Sequence, residues 1–243
     1  MVTDFHGGRI AVVNMEGNDG MKEILKFNIE LKTLKAIDLF ASRDGTRYVL
    51  NGVHINIDGV NCDIAATNGC VLGAVRCIVP DQGKAEFIIP SRAIAAVKPR
   101  KATGTVTVTL MESESGARMA LLEGKDDMAI RARCIEGMFP KWRQVVPTPV
   151  SAPHGIAPIY NACYMETLAK AAKLMSPKNT APAMVMHYVG GDMGPLCVRL
   201  SGCEGFIAVV MPMAVSGLKG DVHARHLPEW LRPEPVDSAA KVS

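Results

Sequence analysis

Ala65-Ala66-Thr67-Asn68-Gly69-Cys70-Val71-Leu72 reads as an apolar strand that breaks at Asn-Gly and resumes as a second apolar strand. Asn and Gly tolerate positive φ, so this dipeptide between apolar runs marks a tight turn. A second short segment, Val209-Val210-Met211-Pro212-Met213, runs as a strand into a proline. Neither segment holds a set of groups able to move a proton, bind a metal or attack an electrophile. Folded against each other, the two would form a groove for another protein's apolar side chains. The chain therefore reads as a non-catalytic docking protein.

Working outward, strands are expected over Tyr48–Ile57, Cys62–Thr67 and Val71–Ile78, with turns at Asp58-Gly59 and Asn68-Gly69. Before them, Phe27–Leu31 suits a strand, and Leu31, Leu34 and Ile37 recur at helical spacing towards Asp44-Gly45. The order then repeats. Ala85–Ile89 is a strand, and Pro90-Ser91-Arg92 opens a short helix to Val97, with Ser91 as a candidate N-cap. Strands follow at Thr105–Leu110, Arg118–Leu122 and Met128–Ile135, then a Gly137-Met138-Phe139-Pro140-Lys141-Trp142 corner. Prolines at 147, 149, 153 and 158 mark a linker. A third copy follows: Ile159-Tyr160 ending a strand, an amphipathic helix over Met165–Met175 stopped by Ser176-Pro177, and strands at Met184–Tyr188, Leu196–Leu200 and Phe206–Val210.

The chain is thus a strand–helix–three-strand unit written three times at about 60-residue spacing. The expected class is α+β, with helices on one side of antiparallel sheets. The divisions expected are an N-terminal extension (1–25), a domain of two units (26–147), a Pro-rich linker (148–158), a third half-domain unit (159–215) and a tail (216–243). The tail has room for a helical turn near Trp230.

Composition agrees. Of 243 residues, 48% are apolar but only 5% aromatic, so the core is aliphatic. No run approaches the roughly 20 apolar residues that span a bilayer, and Met1-Val2-Thr3-Asp4 leads into no signal-like segment. A cytoplasmic protein with no membrane partner is expected. Seven cysteines lie mostly within apolar alternation without Cys-x-x-Cys, which suits buried free thiols in a reducing compartment. The net charge of +3 leaves nucleic-acid contact to the distribution of charge.

The quoted segments, together with Arg47-Tyr48-Val49-Leu50-Asn51-Gly52-Val53, Ile89-Pro90-Ser91-Arg92, Gly137 to Pro147 and Tyr160-Asn161-Ala162-Cys163-Tyr164, occur in the order of the bacterial DNA polymerase III beta subunit, the sliding clamp. Over about residues 26–215 the chain resembles that family's middle domain followed by the second half of its third. No first domain is visible, so the chain carries half the family's complement of half-domain units. A closed ring would then need twice the family's number of chains. A lone half-domain leaves sheet edges unpaired; pairing between two copies, or cover from the N-terminal segment, would close them.

The resemblance implies a peptide pocket lined by Thr67, Gly69, Cys70, Val71 and Leu72 from the loop, Pro147 from the linker, Asn161 and Tyr164 from the third helix, and Val209, Met211 and Pro212 opposite. Such a groove needs an apolar floor and a few polar groups to fix a peptide backbone. The family usually has Asp-Gly-His-Arg where Asn68-Gly69-Cys70-Val71 stands, which makes this rim less polar. The same residues also suit a closed core.

Basic residues near the three helices are candidate DNA contacts: Lys32, Lys35, Arg43, Arg92, Lys98, Arg100, Lys101, Lys170 and Lys173. On one shared side they would meet phosphates without reading bases; an ordinary solvated face is the alternative. His223-x-x-His226 lacks the companions of a metal site, and Ser91, Ser201 and Cys163 lack a nucleophile elbow or a base nearby in sequence. No cofactor is expected. The implied partners are double-stranded DNA, a DNA polymerase or repair protein carrying a short clamp-binding peptide, and further copies of the chain. Two other readings stand beside this one: a clamp mimic or peptide-binding module without encirclement, and an enzyme of unrelated α+β fold.

Overall fold

In β2 (Met21–Glu30) Leu25, Phe27 and Ile29 are buried and their neighbours exposed, the two-residue period of a strand with one covered face. At Leu31 the period changes. Leu31, Leu34 and Ile37 fall on one side of α1 (Leu31–Asp38) and are at most 2% exposed. The computed structural model describes residues 10–13, 20–98, 104–124, 129–147, 159–177, 180–188 and 194–213.

The remaining elements are β1 (Ile10–Val13), β3 (Gly52–Asp58), β4 (Asn61–Thr67), β5 (Val71–Ile78), β6 (Lys84–Pro90), α2 (Ser91–Ala96), β7 (Thr105–Ser113), β8 (Arg118–Glu123) and β9 (Ala129–Arg133). After them come α3 (Ala162–Met175), β10 (Met184–Tyr188), β11 (Leu196–Leu200) and β12 (Cys203–Val210). The expected repeat of strand, helix and three strands is complete in the first two units, the third shows its helix and three strands among the described residues, and every strand pairing is antiparallel. One sheet has the order β1-β9-β8-β7-β2 and the other β10-β11-β12-β5-β4-β3-β6.

Units are knitted together by strand exchange. β2 pairs with β7 and β6 with β3, so each pre-helix strand lies in the other unit's sheet. The third unit joins through β12, which pairs along β5 with Val209 opposite Leu72 and Val210 opposite Val71. Helix α1 lies against both α2 and α3. The main core includes Phe40, Ile55, Ile64, Val75, Val108, Leu168 and Phe206, drawn from both sheets and the helices between them. At Gly73 of β5 an added Cβ would sit 2.3 Å from the Phe40 ring, so only glycine lets that ring rest on the strand.

Several local expectations change. Gly45–Leu50 is a 3-10 helix rather than the start of a strand, because Asp44 caps it through Thr46 N (2.9 Å) and the β3 ladder begins only at Gly52. Ser91 is the first helical residue and not the cap; Pro90 holds the extended N-cap position and makes no side-chain cap bond. Ile159 and Tyr160 are not in a strand; Ile159 O instead accepts from Met213 N at 2.7 Å. β2 starts at Met21, inside the segment assigned to the N-terminal extension, and β1 covers the edge of β9 rather than an edge of the third unit. The Trp230 region and the 223–226 histidine pair lie outside the described residues.

All seven cysteines are free, but they are not uniformly buried: Cys70 and Cys163 are exposed. Burial pushes the thiols of Cys62 and Cys134 up to about 12, the range of inert core cysteines.

Candidate functional site

The Thr67–Val71 turn closes on itself. Asn68 Oδ1 accepts from the backbone N–H of Cys70 (2.9 Å) and Val71 (3.0 Å). Thr67 Oγ1 donates to Val71 O (2.8 Å) and accepts from Gly69 N (3.0 Å). Gly69 has φ +93°, and a Cβ there would meet Arg47 Nη1 at 2.9 Å. That same nitrogen donates to Asn68 O at 2.9 Å. The turn is therefore rigid before any ligand arrives. Across from it, Met211 N donates to Cys70 O at 2.9 Å, which extends the β12–β5 ladder past its last pair.

Adjacent residues of β5 face opposite ways. Val71 and Val75 join the main core, whereas Leu72 and Ala74 join a second cluster on the outer face with Leu50, Ala65, Ile88, Phe139 and Val209. That outer face needs a cover, and the Gly137–Trp142 corner supplies it. Gly137 takes φ +128°, and Phe139 is 4% exposed and stacked on His54 with ring centroids 4.6 Å apart. The chain then closes into a 3-10 turn, Trp142–Val145, whose residues are not fully buried.

Between turn, β12 and corner remains a cavity of about 200 Å³ lined by Leu50, Thr67, Gly69, Cys70, Val71, Leu72, Pro140, Lys141, Trp142, Val145, Val209 and Met211. Seven of the residues anticipated from sequence are in this lining: Thr67, Gly69, Cys70, Val71, Leu72, Val209 and Met211. Pro147, Asn161, Tyr164 and Pro212 are not. Asn161 is the N-cap of α3, its Oδ1 accepting from Cys163 N at 2.9 Å. Tyr164 packs against the main core; burial pushes its phenol up, and the neighbouring Cys70 adds to the shift. Leu50, Pro140, Lys141, Trp142 and Val145 were missed. The signal for them lay in β5 itself, whose second apolar face required large apolar residues from elsewhere in the chain.

One polar cluster fixes the corner. Asp63 of β4 is 6% exposed and accepts from Arg76 Nε (2.6 Å) and Nη2 (2.8 Å) and from Arg143 Nη2. Arg143 also lies over the Trp142 ring, 4.4 Å from its centroid. Burial pushes the Asp63 carboxyl up, but the hydrogen bonds and charges of Arg76 and Arg143 outweigh it and hold it below the ordinary value.

The candidate DNA residues fare unevenly. Lys32 pairs with Glu30 (3.3 Å), Arg43 with Asp38 (2.9 Å) and Lys170 with Glu166 (2.7 Å). Lys35, Lys98 and Lys173 have no ion-pair partner among the described residues. Arg92 lines a separate cavity near the C-terminal end of α1, and Arg100 and Lys101 lie outside the described residues. No group of three or more potential metal ligands occurs among the described residues. None of their helices is long and apolar enough to cross a membrane.

Residues 23–141 match the family described as DNA polymerase III beta subunit, central domain. Residues 23–141 thus form a central domain of the DNA polymerase III beta-subunit family. The sliding-clamp fold extends beyond that match. The Thermotoga maritima beta subunit superimposes with TM-score 0.61 at 13% identity, covering 83% of this chain and 68% of that one. The Caulobacter crescentus sliding clamp gives TM-score 0.61 at 15% identity over the same shares. The Bartonella birtlesii clamp, solved bound to griselimycin, gives 0.53 at 17%, covering 82% and 68%. No curated protein matches the chain. In this clamp-fold chain the cavity lies where β12 of the last unit meets β5 of the first, beneath the segment that follows the matched domain.

Proposed function

We propose that the chain is a non-catalytic clamp-type tether that docks a short apolar segment of a DNA polymerase or repair protein in the 200 Å³ cavity. The observation that carries this is the preformed cleft itself, with a hydrogen-bonded turn on one side and the half-exposed Met211 on the other. Its walls can take a leucine-sized anchor, worth about 1.5–3 kcal/mol when buried. In this reading β2 to residue 147 form a two-unit domain whose sheet β1 extends, 148–158 a linker and 159–215 a half-domain, followed by a tail (216–243). The chain self-associates, and Lys35, Lys98 and Lys173 offer sequence-independent contact to duplex DNA. Calorimetry with a leucine-bearing peptide, and separately with griselimycin, tests the docking. Met211→Ala should weaken peptide binding about ten-fold, equivalent to about 1.4 kcal/mol, and equal affinity in the folded variant would overturn the proposal.

A second reading, docking without encirclement, is favoured by the local pairing of Lys32, Arg43 and Lys170 with acids, which leaves less free charge for phosphates. Retention on circular but not linear DNA after a salt wash separates the two. Equal release from both favours the module that docks only.

A further inference from the structure

The first two units close each other's sheets. β3 and β7 are each the first strand after the helix of their unit, and each is flanked by the other unit's pre-helix strand, β6 or β2. Their core-facing residues are sealed as a result: Val53, Ile55 and Ile57 of β3, like Val106, Val108 and Leu110 of β7, are at most 1% exposed. β10 holds the same position after α3. It pairs with β11 on one side, and among the described residues no strand lies on the other.

The side chains of β10 register the difference. Met186 stands opposite Val198, a main-core residue that is 0% exposed, and so faces the core side; yet Met186 is 41% exposed. Val185, on the opposite face, is 48% exposed. Two of the other three sheet-end strands carry the usual guards against strand pairing: β6 has Lys84, Glu86 and Pro90, and β2 has Lys22, Glu23 and Lys26, whereas the four-residue β1 has none. β10 reads Met-Val-Met-His-Tyr, without an acid, lysine, arginine or proline.

We propose that the open edge of β10 is an interface for a second copy of this chain. Two third units join about a two-fold axis and complete one domain, as the first and second units complete theirs. In this fold that edge is filled by a like unit, and the like unit still lacking a partner is the third unit of another copy, which makes the contact self-complementary. The proposal rests on the self-association in the functional reading above and gives it a surface.

Sedimentation velocity on the full chain across the micromolar range tests it, comparing wild type with Val185→Lys/Met186→Lys. Both sites are half-exposed, and circular dichroism checks that the variant folds. The expected result is a wild-type dimer whose dissociation constant rises at least ten-fold in the variant, with peptide affinity at the Met211 cleft unchanged. Hydrogen exchange on the wild type needs no substitution and decides the case should the variant misfold: β10 amides should become more protected as concentration rises. A wild-type dimer indifferent to the substitutions, or β10 exchange independent of concentration, overturns the edge alone. A wild-type monomer at tens of micromolar overturns self-association with it, while the docking reading is judged separately by the peptide titration.

Discussion

Replacing Asp63 with Asn should weaken peptide docking although Asp63 lines no part of the cleft. The carboxylate is 6% exposed and holds Arg76 through two nitrogens, at 2.6 and 2.8 Å, and Arg143 on the same oxygen that takes the second of these. Arg143 carries the restraint to Trp142, which it covers at 4.4 Å, and Trp142 is a wall of the cavity. The Trp142–Val145 turn has no side-chain cap, so this ion pair is its main polar tether. A hydrogen bond to a charged group contributes about 1.5–3 kcal/mol. The Arg76 and Arg143 side chains are 55% and 50% exposed, so water recovers much of that when the charge is removed. Asn also keeps one acceptor for Arg76. The expected loss is about 1–2 kcal/mol in folding stability and about 1 kcal/mol, near five-fold, in peptide affinity. Calorimetric titration reads the second figure. The protein has two tryptophans, so in a Trp230→Phe background the emission of Trp142 reports whether Arg143 has left the ring. The sign with pH follows from the lowered carboxyl of Asp63. Its contribution is complete above about pH 4 and is lost as pH falls through the lowered pKa, so wild type and variant should converge in acid. Unchanged affinity together with unchanged Trp142 emission in Asp63→Asn would refute the tether.

Gly73→Ala should cost about 1–3 kcal/mol by thermal or urea unfolding, because the new methyl meets the Phe40 ring at 2.3 Å; a neutral result would mean that the ring moves freely. Lys35→Glu/Lys173→Glu should lower affinity for duplex DNA and flatten the dependence of log K on log salt by about 2, if each lysine meets one phosphate. An unchanged slope by fluorescence anisotropy would remove both residues from the DNA face. His54 is 4% exposed, and burial lowers its pKa despite the 2.8 Å contact to Glu86. Its neutral form is thus preferred in the folded state, so stability should fall as pH drops below about 6.5. Denaturant titrations of His54→Gln should lose that part of the pH dependence.

The repeat was legible because the chain switches from a two-residue to a helical period at a definite place, Leu31, and because Gly59 and Gly69 mark the hairpin turns with positive φ. The helix start at Ser91 and the strand start at Gly52 were less legible. Pro90 suits both strand end and cap, and the apolar Tyr48-Val49-Leu50 run resembles a strand until the Asp44 cap is seen to fold it into a 3-10 turn. The floor of the cleft was readable from the Asn68-Gly69 turn and Val209–Met211. Its roof was not, since Trp142 and Val145 are placed by the Asp63–Arg143 pair, a contact across 80 residues that has no local signature.

The cleft also explains how a half-domain holds its place. β12 does not rest on the first unit as a separate body; it continues that unit's sheet, and the two faces of the joint serve different ends. On the helix side, Val210, Ala208 and Phe206 enter the same core as Phe40 and Leu168, so α3 has a packed neighbour in α1 without a second half-domain of its own. On the outer side, Val209 lies beside Leu72 in the smaller cluster, which the corner only partly roofs. A one-residue slip of β12 would turn Val209 inward and Val210 outward, exchanging the contents of core and cleft at once. The register that secures the third unit is therefore the register that builds the docking site. A variant that loosens β12 should lose stability and peptide affinity together, read by denaturant unfolding and calorimetric titration of the same protein.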